Sequence, residues 1–337
     1  MTQPIDIAVI GATGTVGETL VQILEERDFP VGTLYLLASN ESAGSAVSFR
    51  GKNLRTREVD EFDFTKVRLA FFAAGPAVTL SFAPRAQAAG CTVIDLSGAL
   101  PAEQAPAVVP EANPQVLDTL KAPATLHSPS AAAVALAVVL APLKHLVDLQ
   151  RVTVTACLAV SAQGREAVSE LARQTAELLN ARPLEPRFFD RQIAFNLLAQ
   201  VGPSDEQGHG VLERRLVREL RELLDLPLLK ISVTCVQVPV FFGDSYTVSL
   251  NASEAVDLAA VNQALDTAPG VELVQDEGDF PTPVGDAVGQ DVVYVGRVRG
   301  GIDEPQQLDL WLTTDNVRKG AALNAVQLAE LLIKDLV

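Results

Sequence analysis

At 337 residues, with 48% hydrophobic and 20% charged side chains, the chain can bury a sizeable core and is long enough for two domains of ordinary size. Its formal net charge of −16 repels phosphate backbones and anionic lipid, which argues against nucleic-acid and membrane-surface binding. The N-terminal MTQPIDIAVIG lacks a basic segment followed by an apolar one, and the apolar run 131–143 is too short to span a bilayer. Cys91, Cys157 and Cys235 lie far apart in apolar runs, so they read as packed thiols of a cytoplasmic protein, with no metal-ligand spacing.

In chain order, IDIAVIG (5–11) predicts a buried strand, and TVGETLVQILEER (15–27) carries apolar residues at helical spacing. Strands follow at 33–39, 67–75 and 91–97, with a helix at 77–90 between the last two. This β-α-β order implies a parallel sheet covered by helices on both faces. LHSPSAAAVALAVVLAPL (126–143) then reads as a short strand, a turn at Pro129 and an Ala/Val/Leu-rich helix, a shape on which enzymes mount a nucleophile.

Beyond residue 128 the strands lengthen, at 150–161, 228–242, 245–253, 291–300 and 307–314, with helices at 164–180 and 211–225. That pattern suits a mixed sheet with helices on one side. The amphipathic closing helix, VRKGAALNAVQLAELLIKDL, is able to cap either domain. The fold class is therefore α/β: a Rossmann-type, doubly wound parallel-sheet domain over 1–128 and an α+β domain over 129–315.

GATGTVG sets Gly11, Gly14 and Gly17 between the first strand and the first helix. Glycines there let backbone N–H groups and the helix N-terminus approach a pyrophosphate, so the turn reads as a dinucleotide site; packing alone is the competing explanation. At the end of the second strand, LASNESAG supplies Glu41, with no arginine or lysine before Arg50. An acid suits ribose hydroxyls and a cation suits the 2′-phosphate, so NAD fits better than NADP.

Taken together, GATGTVG, LASNESAGSAVSFRGK, VIDLSGA, VVPEANP, LAVSAQGREAVSEL, RQIAFNLLAQVG, TCVQVPV, PTPVGDAVGQDVVYVGRVR and LWLTTDNVRKGAALNAVQLAELL resemble the aspartate-semialdehyde dehydrogenase family over essentially the whole chain. The resemblance implies that the closing segment 316–337 returns to the nucleotide domain and that the second domain's sheet forms a homodimer interface. It places a dinucleotide on Gly11, Thr13, Gly14, Thr15, Val16, Ser39, Glu41, Ala74, Gly75 and Asn316, and a substrate pocket on Ser130, Leu158, Glu213, Arg215 and Gln237.

Family chemistry, carried over residue by residue, meets gaps. The family uses a cysteine thiolate that attacks a carbonyl, a histidine acid/base and arginines for an anionic substrate. The nucleophile position is Ala131, in Ser128-Pro129-Ser130-Ala131, and a methyl group cannot form a thiohemiacetal. The histidine position is Asp244, expected as a solvated carboxylate with a pKa of about 3.9, unsuited to shuttling protons near neutrality. Gln237 stands for a substrate arginine, Leu158 for a glutamine, Pro101 for a phosphate-binding arginine and Glu41 for the 2′-phosphate arginine. Glu213, Arg215 and Asn316 are kept.

No other residue stands in readily. Cys157 and Cys235 read as packed, and His127 neighbours Ser128 on a strand, where successive side chains face opposite ways. His145 and His209 read as surface residues. Framework motifs persist while reactive and anion-binding positions change together, which predicts a non-catalytic family member acting by binding a dinucleotide or a partner. The alternatives are an NAD(P)-dependent oxidoreductase of altered chemistry and a working aspartate-semialdehyde dehydrogenase.

Overall fold

The computed structural model describes residues 3–336. β1 (Ile5–Ile10) is apolar at consecutive positions from Ile7 onward, which only a sheet covered on both faces can accommodate. After it come α1 (Thr15–Glu26), β2 (Val31–Ala38), a hairpin of β3 (Ala46–Phe49) and β4 (Lys52–Arg55), and β5 (Arg57–Glu58). The first unit continues through β6 (Leu69–Phe72), α2 (Pro76–Ala88), β7 (Thr92–Asp95) and β8 (Thr125–His127). The strands pair in parallel in the order β5-β2-β1-β6-β7-β8. Ile7 and Val9 pack with Leu20 and Leu24 of α1 on one face, whereas Ala8 and Ile10 pack with Ala83 and Ala86 of α2 on the other. The sheet is thus wound on both sides, the Rossmann-type arrangement.

The second unit runs from α3 (Ala131–Leu143) through β9 (Leu149–Leu158), α4 (Arg165–Leu179), α5 (Val211–Leu224), β10 (Lys230–Gln237) and β11 (Asp244–Ala252). It closes with α6 (Leu258–Asp266), β12 (Val271–Leu273), β13 (Val293–Gly300) and β14 (Gln307–Thr314). The sheet order is β10-β9-β11-β14-β13-β12, parallel at its two outer pairs and antiparallel within. Val152, Val154, Val248, Leu308 and Leu310 are buried on one face, and Thr153, Thr247 and Arg299 lie on the solvated face. This alternation is the mark of an antiparallel sheet covered on one side. α3 is apolar all round and packs against α5 and α6.

The first compact unit comprises the chain up to Ser130 together with the segment from Ala321, and the second comprises Ala131–Gly320. Two expectations change. The closing segment is not one helix from 317: Arg318–Leu323 forms a wide π-helical turn and α7 (Asn324–Leu336) begins only afterwards. Gly320 explains part of that turn, because a Cβ there would lie 2.6 Å from the Ala131 Cβ. The strand read over 228–242 ends as a regular strand at Gln237, two residues before Pro239, which has no N–H for the ladder. Among the described residues, no helix is long and apolar enough to cross a membrane.

Candidate functional site

In the first unit, three strand ends assemble the glycine turn. Gly11 leaves β1 with φ of +82° and donates its N–H to Leu37 O at 2.9 Å, tying the turn to β2. A Cβ on Gly11 would sit 2.5 Å from Ala73 O at the end of β6, and one on Gly17 would sit 2.1 Å from Gly11 O. Both positions therefore require glycine. Gly14 is different: it is the N-cap of α1, has ordinary φ, and provides no side-chain capping bond. The first N–H groups of α1, from Thr15 and Val16 onward, are left for a ligand to satisfy. The turn is thus a cradle that fits a pyrophosphate.

Around that turn the same sheet edge places Thr13, Ala74 and Gly75, the last being the N-cap of α2. Exposed Ser39 and Glu41 follow β2 in a short turn. Asp95, at the end of β7, had no place in the sequence reading, although an aspartate before Ser-Gly is a turn signal. It is fully buried and accepts the N–H groups of Ser97, Ala99 and Leu100 and the Ser97 hydroxyl, shaping the loop beside the sheet edge. His127 Nδ1 lies 3.1 Å from Asp95 O, and the Ser128 hydroxyl accepts Asn324 Nδ2 at 2.9 Å, so neighbouring His127 and Ser128 have separate partners.

In the second unit, α3 begins at Ala131, directly after half-buried Ser130. Asn316 is buried there, accepting the Gly243 N–H at 3.0 Å and donating to the Ser161 hydroxyl at 3.1 Å. Gln237 is buried at the end of β10; its Nε2 donates to Leu158 O at 2.6 Å and its Oε1 accepts from Gln163. Glu213, in the first turn of α5, accepts Gly210 N–H at 2.8 Å and Cys235 N–H at 2.9 Å. Arg215 pairs with Glu219 one turn along the helix at 2.6 Å. A cavity of about 630 Å³ opens beside Gln163 and Gln237, walled by Phe188, Leu198 and Gln200.

The solvated Asp244 of the sequence reading is corrected. Asp244 is 1% exposed, accepting Ala159 N–H at 2.8 Å and the Tyr246 hydroxyl at 3.2 Å. Burial pushes its pKa up to about 7, against the lowering effect of those two bonds and with help from nearby Asp315. Sequence could not show this, since Ala159 is far away along the chain. The thiols are held protonated: burial raises Cys91 to about 11 and Cys235 to about 12, and also raises half-buried Cys157. Among the described residues, no cluster of three or more His, Cys, Asp or Glu could hold a metal ion.

A parallel sheet with a glycine cradle at its carboxyl edge, followed by a mixed-sheet domain, defines an NAD(P)-binding oxidoreductase scaffold. Two family models match: the semialdehyde dehydrogenase NAD-binding domain over residues 6–120, and the semialdehyde dehydrogenase dimerisation domain over residues 140–319. The chain belongs to the semialdehyde dehydrogenase family. It is 64% identical over 334 residues, 99% of each chain, to a "USG-1 protein homolog" of Azotobacter vinelandii. A solved probable aspartate-semialdehyde dehydrogenase from Pseudomonas aeruginosa matches with a TM-score of 0.97 and 58% identity, over 99% of this chain and 100% of that one. Aspartate semialdehyde dehydrogenase II from Vibrio cholerae, solved in complex with ASA, matches with a TM-score of 0.95 and 40% identity over 99% of both chains.

Proposed function

We propose that this family member has lost the covalent acyl chemistry and acts by binding, as a cytoplasmic homodimer that holds a dinucleotide. The observation that carries the reading is Ala131 as the first residue of α3, the family's nucleophile position. Loss of the nucleophile in a covalent enzyme costs on the order of 10⁴- to 10⁶-fold in turnover. Neither buried thiol replaces it, since Cys91 and Cys235 stay protonated at neutral pH and thiolate is the reactive form. Asp244, at the histidine position, titrates in a useful range but has no exposed surface from which to reach a substrate.

The dinucleotide would lie on Gly11, Thr13, Gly14, Thr15, Val16, Ala74 and Gly75; the family resemblance assigns Asn316 to it as well. In the family's chemistry a bound dinucleotide would accept or donate hydride. Ser39 and Glu41 would receive the adenosine ribose, and an acid at 41 favours NAD over NADP. Ser130, Leu158, Glu213, Arg215 and Gln237 are the positions the family resemblance assigns to substrate, now without the arginine at 237. Support for the homodimer comes from the dimerisation-domain match and the solvated sheet face. Free thiols suit a reducing compartment.

A second reading is favoured by 40% identity to the V. cholerae enzyme over nearly the whole chain: a working dehydrogenase. An assay of purified protein with aspartate semialdehyde, phosphate and NAD or NADP separates the two, paired with calorimetry of each nucleotide. The expected outcome is heat with NAD and no turnover above the blank. Turnover at ordinary enzymatic rates would overturn the first reading.

A further inference from the structure

Asp244 sits where two backbone crossings are pinned together. Gly243 precedes it with φ of +90°, and a Cβ at that corner would meet Pro283 at 2.9 Å, so the entry into β11 is fixed. The Asp244 carboxylate holds the Ala159 N–H just beyond β9, and its carbonyl accepts the Thr313 hydroxyl at 2.9 Å. One residue away, the Asn316 amide performs the same pinning a second time, bonded to Gly243 N–H on the β11 side and Ser161 on the β9 side. The two pins share their segments, so neither loosens alone.

The surroundings of this carboxylate contain acids. Asp315 faces it from the turn after β14, Cys157 from β9, Cys235 from β10 and Tyr246 from β11 itself. Asp315 already accepts the N–H groups of Gly289, Val317 and Arg318. One N–H and one hydroxyl are thin solvation for a fully buried charge, and burial is the larger effect.

We infer that Asp244 is a proton-operated positioning residue: with its proton in place it locks the end of β9 to the start of β11 and so fixes the Asn316 amide, and opening of that lock releases the proton. The sign follows from linkage. The closed state binds a proton up to a pH of about 7, whereas an opened, solvated carboxylate binds one only below about 4. Opening therefore becomes easier as pH rises between those values, by about tenfold per pH unit, and is flat above the upper one. Carboxylates that gain hydrogen bonds without burial, such as Asp205 and Asp286, change stability in the opposite sense.

The lock rests on geometry within the second unit; only its consequence for binding rests on the dinucleotide reading. Hydrogen exchange of the Ala159, Ser161 and Gly243 amides between pH 5 and 8.5, corrected for intrinsic rates, tests it. Protection at all three is expected to fall together by about 50-fold between pH 5 and 7 and to level off near pH 8, about 100-fold below its pH 5 value. In Asp244→Asn, whose amide can accept from Ala159 and donate to the Tyr246 oxygen, the pH dependence is expected to vanish. Tyr246→Phe removes a bond that favours the ionised form, so its levelling point is expected to move to higher pH. Flat protection in the unmodified protein, or an unchanged profile in both variants, overturns the lock. Added NAD is expected to raise protection at Gly243 and Ser161. If NAD binds without doing so, Asn316 is no part of the nucleotide site, and if NAD gives no heat at any pH the dinucleotide reading fails; the pH profile decides the lock in either case.

Discussion

The three glycines of the first turn divide by what each is for, and alanine substitution separates the roles. In Gly11→Ala the new Cβ meets Ala73 O at 2.5 Å, and the residue keeps a positive φ. Left-handed backbone costs about 1–2 kcal/mol for an L residue, and overpacking against a backbone carbonyl adds about 1–3 kcal/mol. The sum, about 2–5 kcal/mol, is a large part of a domain's stability. In Gly14→Ala the nearest atom is Gly11 O at 3.3 Å and φ is −76°, so the cost is about 1 kcal/mol at most, mainly through the N-cap. Its methyl group would project where a phosphate must approach the start of α1. Calorimetric unfolding of both variants, with NAD titration of each, reads the difference. Gly11→Ala should melt well below the parent, whereas Gly14→Ala should melt near it and bind NAD at least tenfold more weakly. If Gly14→Ala matched the parent in nucleotide affinity, or lost as much stability as Gly11→Ala, the turn would be a packing device only.

Two further outcomes follow from buried charge and buried sulfur. Glu170 is 4% exposed; burial works to raise its pKa, but Arg173, the Arg187 N–H and Gln174 together hold it below the usual range. Arg173→Met strips its bidentate partner and should lower the midpoint of denaturant unfolding at pH 7, with the difference shrinking as pH falls through the glutamate range; an unchanged midpoint would refute the assignment. Cys91 and Cys235 should react with a disulfide reagent at pH 8 far more slowly in the native protein than after unfolding. Rapid labelling of Cys235, detected by mass spectrometry, would reopen the search for a nucleophile.

What the sequence made legible is what local pattern controls. β1 and α1 were readable because consecutive apolar residues, then helical spacing, then glycines at 11, 14 and 17 all point to the same turn. The pattern failed where two structures share one composition. Arg318–Leu323 has no proline to interrupt the helix that follows it, yet Gly320 must pass against Ala131, a contact that no window of the closing segment contains. The run 228–242 is apolar past the point where the ladder stops, since apolarity reports burial and leaves hydrogen-bond register unspecified. Asp244 escapes the pattern for the same reason in reverse: flanking Gly243 and Ser245 suggest a solvated turn, while its partners are Tyr246 and the distant Ala159. Glu213 was placed by motif, but its role as a bridge between α5 and Cys235 needed coordinates.

Gln237, Glu213 and Asp244 of the second unit share one property. Gln237 is satisfied by Gln163 and Leu158, Glu213 by Gly210 and Cys235, and Asp244 by Ala159 and Tyr246. A group that binds or activates a substrate gains most when its partner is the substrate itself, because a bond already made inside the protein must first be broken. Breaking one costs about 0.5–1.5 kcal/mol for a neutral pair and about 1.5–3 kcal/mol where a charge takes part. At three positions together that is a barrier of several kcal/mol, set against interactions that the substrate would merely replace. Such a site is preorganised for holding its own shape. Restoring sulfur alone, by Ala131→Cys, should therefore leave aspartate semialdehyde turnover at the blank, because the residues around it remain turned inward; measurable turnover in that single variant would show that the internal bonds yield easily and that only the nucleophile was missing.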